Sequence, residues 1–405
     1  MSQIMVFLSL LLIPAYIFRL SLLGIPTNVF EIAVGVTALV FVIEWIATKR
    51  SQRFNLGLWP VYLLLAAAII GTVVASDTTA ALGILKGWFF VPAVLYIIII
   101  NSFDQKSIRK LSIPLFIGLL LVSVWAVLQK LGVISTLFYQ VGDTGFTDYI
   151  NRFRAFGPFE SPNYLAMFLV PVTFLSLPVL SFPRSATDRV FIAAFYLLPL
   201  YALYASHSLG GLLAFGFGLI SLLAFGLAKL YRARLVNSGR KIVTLAVVLV
   251  IIAVGFAYIF SSISSETYSN AIRKDIYNYS AQLVKAHPVA GVGLGEFQRA
   301  VEESSKGDAG FQLYGLAYAM HPHNVFLAFW LNLGLLGLLS FLYLLGSFFW
   351  RLGRRRGDIL LLSSTFAAMV AILIHGLVDT TYFKNDLSAI FWLLLAISVI
   401  LGTRE

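Results

Sequence analysis

His321-Pro322-His323-Asn324-Val325-Phe326-Leu327-Ala328-Phe329-Trp330, residues 321–330, is where the chain passes from polar to apolar in one step. Upstream lies the one long polar interval between hydrophobic segments, residues 261–324, which holds three of the five histidines. Downstream the apolar run continues for about the ~20 residues that a helix needs to cross a bilayer's hydrocarbon core. A polar insertion beside such a segment can house chemistry on the watery side of a membrane. The remainder of the chain reads as the scaffold that places it.

Composition fixes the class. Hydrophobic residues make up 60% of the 405 and charged residues 12%, far from the balance of a soluble domain. Backbone polar groups in apolar runs must be satisfied within the segment, so helices are expected; the runs do not alternate as barrel strands do. The predicted fold is therefore all-α, a polytopic membrane protein with about twelve transmembrane helices and a helical loop on one face, periplasmic by the resemblance given below. The spans fall near 4–20, 28–48, 57–75, 81–100, 111–131, 161–181, 190–206, 209–229, 241–260, 323–350, 358–378 and 385–402. The whole of 1–405 reads as one transmembrane domain, with the loop 261–322 inserted between the ninth and tenth spans. The N-terminus lacks a basic leader region and a cleavage site, so Ile4–Leu20 reads as a retained first span. The absence of cysteine excludes disulfides, thiolate chemistry and Cys-based metal sites.

Charge gives orientation. Loops on the side of the termini carry 18 of the 29 basic residues but 5 of the 18 acidic ones, among them Lys49, Arg50, Arg53 and Arg351 with Arg354–Arg356. By the positive-inside rule both termini are cytoplasmic. The pI near 9.7 is then a topology signal, and no nucleic-acid partner is implied. The opposite face has two sizeable loops, 132–160 and 261–322. The spans show neither the mid-membrane ionisable relay nor the broken half-repeats of coupled transporters.

Candidate residues lie on that opposite face. In the shorter loop, Arg152 and Arg154 stand among aromatics before Pro162, an early-helix residue. A guanidinium forks onto phosphate oxygens, so either could hold a diphosphate; either could equally anchor the helix to lipid headgroups. In the long loop, Tyr268, Ile272, Ile276, Tyr279 and Leu283 give 266–286 one apolar face, for packing on the membrane surface or against the spans. Arg273 and Tyr277 are neighbours on that helix, as a functional pair or as part of a solvated face. The turn Gly291-Val292-Gly293-Leu294-Gly295 lacks the strand–helix setting of a dinucleotide loop, and close packing at a helix end is its expected role.

His321 and His323 flank Pro322, with Asn324 following. Imidazoles at a membrane surface suit proton transfer; the alternative is a helix cap built by Asn324 and the histidines. They could serve as metal ligands, but no third and fourth ligand stands at a recognisable spacing. A last cluster, His375, Asp379, Tyr382, Lys384 and Asp386, reads as support for these residues or as a salt-bridged turn, with His375 and Asp379 on one face if the helix persists.

Four blocks together resemble the O-antigen ligase and polymerase superfamily of bacterial membrane glycosyltransferases. His323-Asn324, nine residues, Gly334, two residues and Gly337 are similar to the family's signature after its large periplasmic loop. Arg154-Ala155-Phe156-Gly157-Pro158-Phe159-Glu160-Ser161-Pro162-Asn163 resembles its Arg-x-x-Gly-x-Phe-x-x-Pro-Asn stretch. Arg273 with Tyr277, then His287-Pro288 and the Gly291/Gly293 turn, looks like its loop helix, and Asp379 with Lys384-Asn385-Asp386-Leu387 like its closing element.

The resemblance implies a type C glycosyltransferase-like fold in the bacterial inner membrane, with the site facing the periplasm. It implies transfer of a glycan from undecaprenyl diphosphate to an acceptor hydroxyl, that of lipid A-core for a ligase, with inversion and with no metal or other cofactor. Arg154 and Arg273, with Arg152 assisting, would carry the charge that builds on the departing diphosphate. His323 would accept the hydroxyl proton or orient the acceptor, since arginine cannot act as a base. Tyr277, His321, Asn324, Asp379 and Lys384 would contact substrate. Alternatives are a polymerase of the same superfamily and, from a different class, a non-catalytic lipid or polysaccharide transporter.

Overall fold

The computed structural model describes residues 1–22, 24–48, 54–134, 154–183, 185–232 and 267–402. Of the described residues 77% are helical, and among them nine helices are long and apolar enough to cross a membrane. These are α2 (Val29–Ala47), α4 (Thr78–Ser102), α5 (Ile108–Lys130), α6 (Pro162–Ser181), α7 (Ala186–Ser206), α8 (Leu209–Arg232), α12 (Val325–Arg354), α13 (Ile359–Gly376) and α14 (Asn385–Gly402). Two shorter apolar helices join them, α1 (Ser2–Leu11) and α3 (Trp59–Val74). The expected span 241–260 lies outside the described residues. An all-α, multi-pass membrane protein is what the sequence calls for and what the chain forms.

The first span is corrected. Instead of continuing to residue 20, α1 stops at Leu11 and a 3-10 turn over Ile13–Ile17 follows. Pro14 lacks the N–H that a continuing helix would use. The chain then forms a hairpin, β1 (Arg19–Leu22) antiparallel to β2 (Ile25–Asn28), reversed at Gly24. Asn28 accepts a hydrogen bond from the Glu31 amide and so starts α2.

At the centre stands α14, whose best 18-residue window is 89% buried, against 22% for α2 at the periphery. A helix apolar all round belongs in the middle of a bundle, and Ser388, Ala389, Ala396 and Ser398 let neighbours approach closely. Around it α8 packs along α13, α12 along α3, and α6 against α13.

The polar loop supplies α9 (Thr267–Ala286), α10 (Phe297–Ser304) and α11 (Ala309–Tyr314). Its apolar stripe does face inward. Ile272, Ile276 and Leu283 form a second small core with Phe297, Val301, Phe311, Ala319 and, from α12, Leu331.

The glycine turn locks onto α12. Gly334 interrupts that helix with φ +68°, and a Cβ there would collide with the Val289 carbonyl. The backbone groups freed by the break are taken up by the turn: Leu335 N–H donates to the Val289 carbonyl (2.9 Å), and Val292 N–H to the Leu331 carbonyl (2.7 Å). Close packing, the expected role of the turn, is its observed one. It fixes the loop against the helix that begins at the histidines.

Candidate functional site

The site sits at the end of the bundle where α12 begins. The basic cluster Arg351–Arg356 lies at the opposite end of α12. Asn324 caps α12, its Oδ1 accepting from the amides of Phe326 (3.0 Å) and Leu327 (3.1 Å), and its Nδ2 donates to the Leu377 carbonyl (3.2 Å). The capping function thus falls to Asn324, and neither histidine shares it. His323, one residue earlier, has φ +46°, a left-handed backbone that a non-glycine residue adopts at a cost of ~1–3 kcal/mol. Tyr277, from α9, donates its hydroxyl to the His323 carbonyl at 2.9 Å and so holds that backbone in place.

Asp379 joins the two histidines. Its Oδ1 lies 3.5 Å from His323 Nδ1 and 3.7 Å from His321 Nδ1, and the two imidazoles meet edge-on with centroids 4.3 Å apart. The carboxylate is nearly sealed, at 3% exposure. Burial alone would raise its pKa, but His323 and His321 beside it more than reverse this and hold it below the usual carboxylate range. His321 also meets Thr380 Oγ1 through Nδ1 (3.2 Å), and His323 Nε2 lies 3.2 Å from the Tyr318 carbonyl. Burial, reinforced by His323, pushes His321 down to about 3, with Asp379 opposing.

The expectation that His375 and Asp379 share a helix face is corrected. α13 ends at Gly376, where the Leu377 and Val378 amides bond back to Ile374 and His375 in a tightened last turn. Asp379 therefore lies in the connection, where it can reach across to α12. The same step supplies what the sequence spacing lacked, a third donor beside the histidines. His321, His323 and Asp379 present ligand atoms within 4.8 Å of one another, a spacing that would admit a cation.

The two arginines approach this cluster from different segments of the chain. Arg154 donates through Nε to the Ser206 carbonyl (2.9 Å) and through Nη2 to Asn163 Oδ1 (3.3 Å). Asn163 in turn donates to Asp379 Oδ2 at 3.2 Å. The segment is clasped in place, since Gln129 of α5 accepts from the amides of Phe156 and Gly157, and Ser161 caps α6. Arg273 lies on α9 one turn before Tyr277. It is half-buried, makes no hydrogen bond or ion pair among the described residues, and stands close enough for its charge to lower His321. Arg152 lies outside the described residues.

Lys384 stands against Tyr164. Its ammonium ion-pairs with Glu160 and sits 3.6 Å above the Tyr164 ring, whose other neighbour is the His321 ring at 6.3 Å. Arg19 of the hairpin also pairs with Glu160 (3.1 Å). Burial lowers the Lys384 pKa, and Glu160 opposes the shift. Sequence reasoning passed over Tyr164 and Thr380. Tyr164 was findable, two residues into a helix that starts in a recognised motif. Thr380 gave no signal.

Residues 194–342 match a family model described as O-Antigen ligase. That stretch is similar to the O-antigen ligase family. The match agrees with the resemblance drawn from the motifs to the O-antigen ligase and polymerase superfamily, whose members are glycosyltransferase-like enzymes. The matched region contains Arg273, Tyr277, His321, His323, Asn324, Gly334 and Gly337. Arg154, Asn163 and Asp379 lie outside it in sequence and are brought to it by the fold. A search of curated proteins finds no match to the chain.

Proposed function

We propose that the protein transfers a glycan from undecaprenyl diphosphate to an acceptor hydroxyl, with lipid A-core as the acceptor. The observation that carries this is the convergence of two guanidiniums on one imidazole–carboxylate cluster at a bundle end. Arg273, with no partner among the described residues, is a charge waiting for an anion. Arg154, held by Ser206 and Asn163, is a preset fork.

The energy for transfer resides in the sugar–diphosphate bond. The acceptor oxygen attacks C1 from the face opposite the leaving group, which inverts that carbon, and charge builds on the departing diphosphate. Fixed cations at that position lower the barrier. The cluster of His321, His323 and Asp379 orients the acceptor and takes up the hydroxyl proton. Tyr277 and Asn324 set the His323 backbone, and Lys384 borders the site through Tyr164. Arg152 would add charge beside Arg154. No metal is called for, since arginine charge meets the diphosphate.

The site would face the periplasm of a bacterial inner membrane, with both termini cytoplasmic and 261–322 as the large periplasmic loop. A reporter fused after Gly353 should read cytoplasmic and one within 300–310 periplasmic; the reverse would invert the assignment. The chemistry is tested by reconstituting the protein with an undecaprenyl-diphosphate oligosaccharide and lipid A-core. Growth of the acceptor with release of undecaprenyl diphosphate is expected. Movement of the donor across the bilayer with no acceptor growth would point instead to a transporter.

A further inference from the structure

The two histidines are not equivalent. His323 has an oxygen acceptor against each ring nitrogen, the Tyr318 carbonyl at Nε2 and Asp379 at Nδ1. Its Nδ1 is sealed from solvent, and at 3.5 Å its contact with the carboxylate is electrostatic rather than a formed hydrogen bond. No lone pair of this ring faces an incoming hydroxyl. His321 shares the electrostatic contact of Nδ1 with Asp379 Oδ1, at 3.7 Å, and differs in its other contacts. Its Nδ1 is turned to Thr380 Oγ1 and Asp379 Oδ1, its side chain keeps 22% of its surface against 14% for His323, and its Nε2 makes no hydrogen bond among the described residues. A carboxylate behind Nδ1 with the other nitrogen open is the arrangement that prepares an imidazole to accept a proton.

We infer that His321 Nε2 is the proton acceptor of the transfer reaction, and that His323 is a positioning residue that fixes Asp379 and the start of α12. This rests on the glycan-transfer reading above and divides the labour within that site. In the step itself the acceptor O–H bond breaks and its proton passes to His321 Nε2. The oxygen forms its bond to C1, and the C1–O bond to the diphosphate breaks with its electron pair leaving on phosphate.

Asp379, through Nδ1, stabilises the imidazolium that results. The charged and titratable groups facing His321 are His323, Asp379, Lys384 and Arg273, with the Tyr164 ring beside it. Burial lowers the His321 pKa to about 3, and the positive charge of Lys384 and Arg273 adds to the shift. A diphosphate bound by Arg273 would cancel part of the positive charge that now opposes protonation.

The test uses the full-length reconstituted protein with an undecaprenyl-diphosphate oligosaccharide and lipid A-core, reading kcat, KM for donor, and rescue by free imidazole. His321→Ala is expected to lower kcat by roughly 10²–10⁴-fold with donor KM little changed, and added imidazole should restore turnover in a concentration-dependent way. His323→Ala should also lose activity, but imidazole should not restore it. His321→Gln, which keeps bulk and a polar contact to Thr380, provides a second variant should the alanine protein misfold, and is expected to be as slow. The assignment is overturned if either folded His321 variant retains more than a tenth of the parental kcat, or if imidazole rescues His323→Ala instead. A parental protein that moves no glycan overturns the transfer reading and this assignment with it. An active parent with unaffected His321 variants overturns the assignment alone.

Discussion

The Tyr277 hydroxyl donates to the His323 carbonyl across 2.9 Å, so a loop helix holds the one left-handed residue at the start of α12. The bond is local in space but joins positions that no sequence window connects. Tyr277→Phe should leave the helices intact and remove this single donor. A neutral hydrogen bond contributes about 0.5–1.5 kcal/mol, so a loss of roughly two- to tenfold in kcat/KM is expected. An unchanged rate would mean that the α12 cap alone sets the histidine backbone.

The two arginines should respond differently to conservative change. Alanine at either position is expected to cost ~2.7–4 kcal/mol of barrier, as loss of a charge-stabilising donor does. Arg154 spends its fork on Ser206 and Asn163, so Arg154→Lys should lose geometry as well as charge placement and keep only partial activity. Arg273 has no such partners among the described residues, and Arg273→Lys should retain more. Donor turnover by the four variants at fixed ionic strength checks this. Parental rates in either alanine variant would reduce that arginine to a headgroup anchor.

Much of this arrangement was legible in advance, for a physical reason. A bilayer demands long apolar helices, so spans such as 385–402 and 209–229 announce themselves in composition. The first span misled because Leu20 and Leu22 extend the apolar pattern past Pro14, where the hydrogen-bond ladder cannot follow. The helical face of 272–283 was readable from its period, and its burial partners Phe297, Val301 and Phe311 lie within the same loop. Gly334 could be read as part of a motif but not as a kink, because the Val289 carbonyl that requires it comes from a distant turn. The meeting of Asp379 with His321 and His323 depends on where α13 ends, and nothing in the spacing of those residues reveals it.

Acid should loosen the site end of the molecule. The buried His321 imidazole has its pKa lowered from the ordinary 6.5 to about 3, so between those values the unfolded chain binds a proton that the folded one refuses. Stability therefore falls as pH drops below about 6.5 and levels near 3. Asp379, also lowered, acts in the same direction, its contribution being lost as pH falls below the usual carboxylate range. Thermal unfolding in detergent should show a decline from pH 7 to pH 4 that His321→Gln flattens in its upper part. A parental profile flat across this interval would contradict the burial of that ring.

Chelation separates the two uses to which three converging donors could be put. His321, His323 and Asp379 have the spacing to hold a cation, but in the proposed mechanism arginine charge meets the diphosphate and a proton alone visits the cluster. Transfer should therefore survive a strong chelator at full rate. A divalent ion seated on both Nδ1 atoms would leave His321 Nε2 open, yet it would take Asp379 Oδ1 away from stabilising the imidazolium. If EDTA abolished turnover and Mg²⁺, Mn²⁺ or Zn²⁺ restored it, the cluster would belong to a metal-activated diphosphate. His321→Gln and His323→Asn should then weaken metal affinity together, by the ~10–100-fold typical of lost support or more. Equal metal binding in parent and variants, with activity indifferent to chelator, is the expected result.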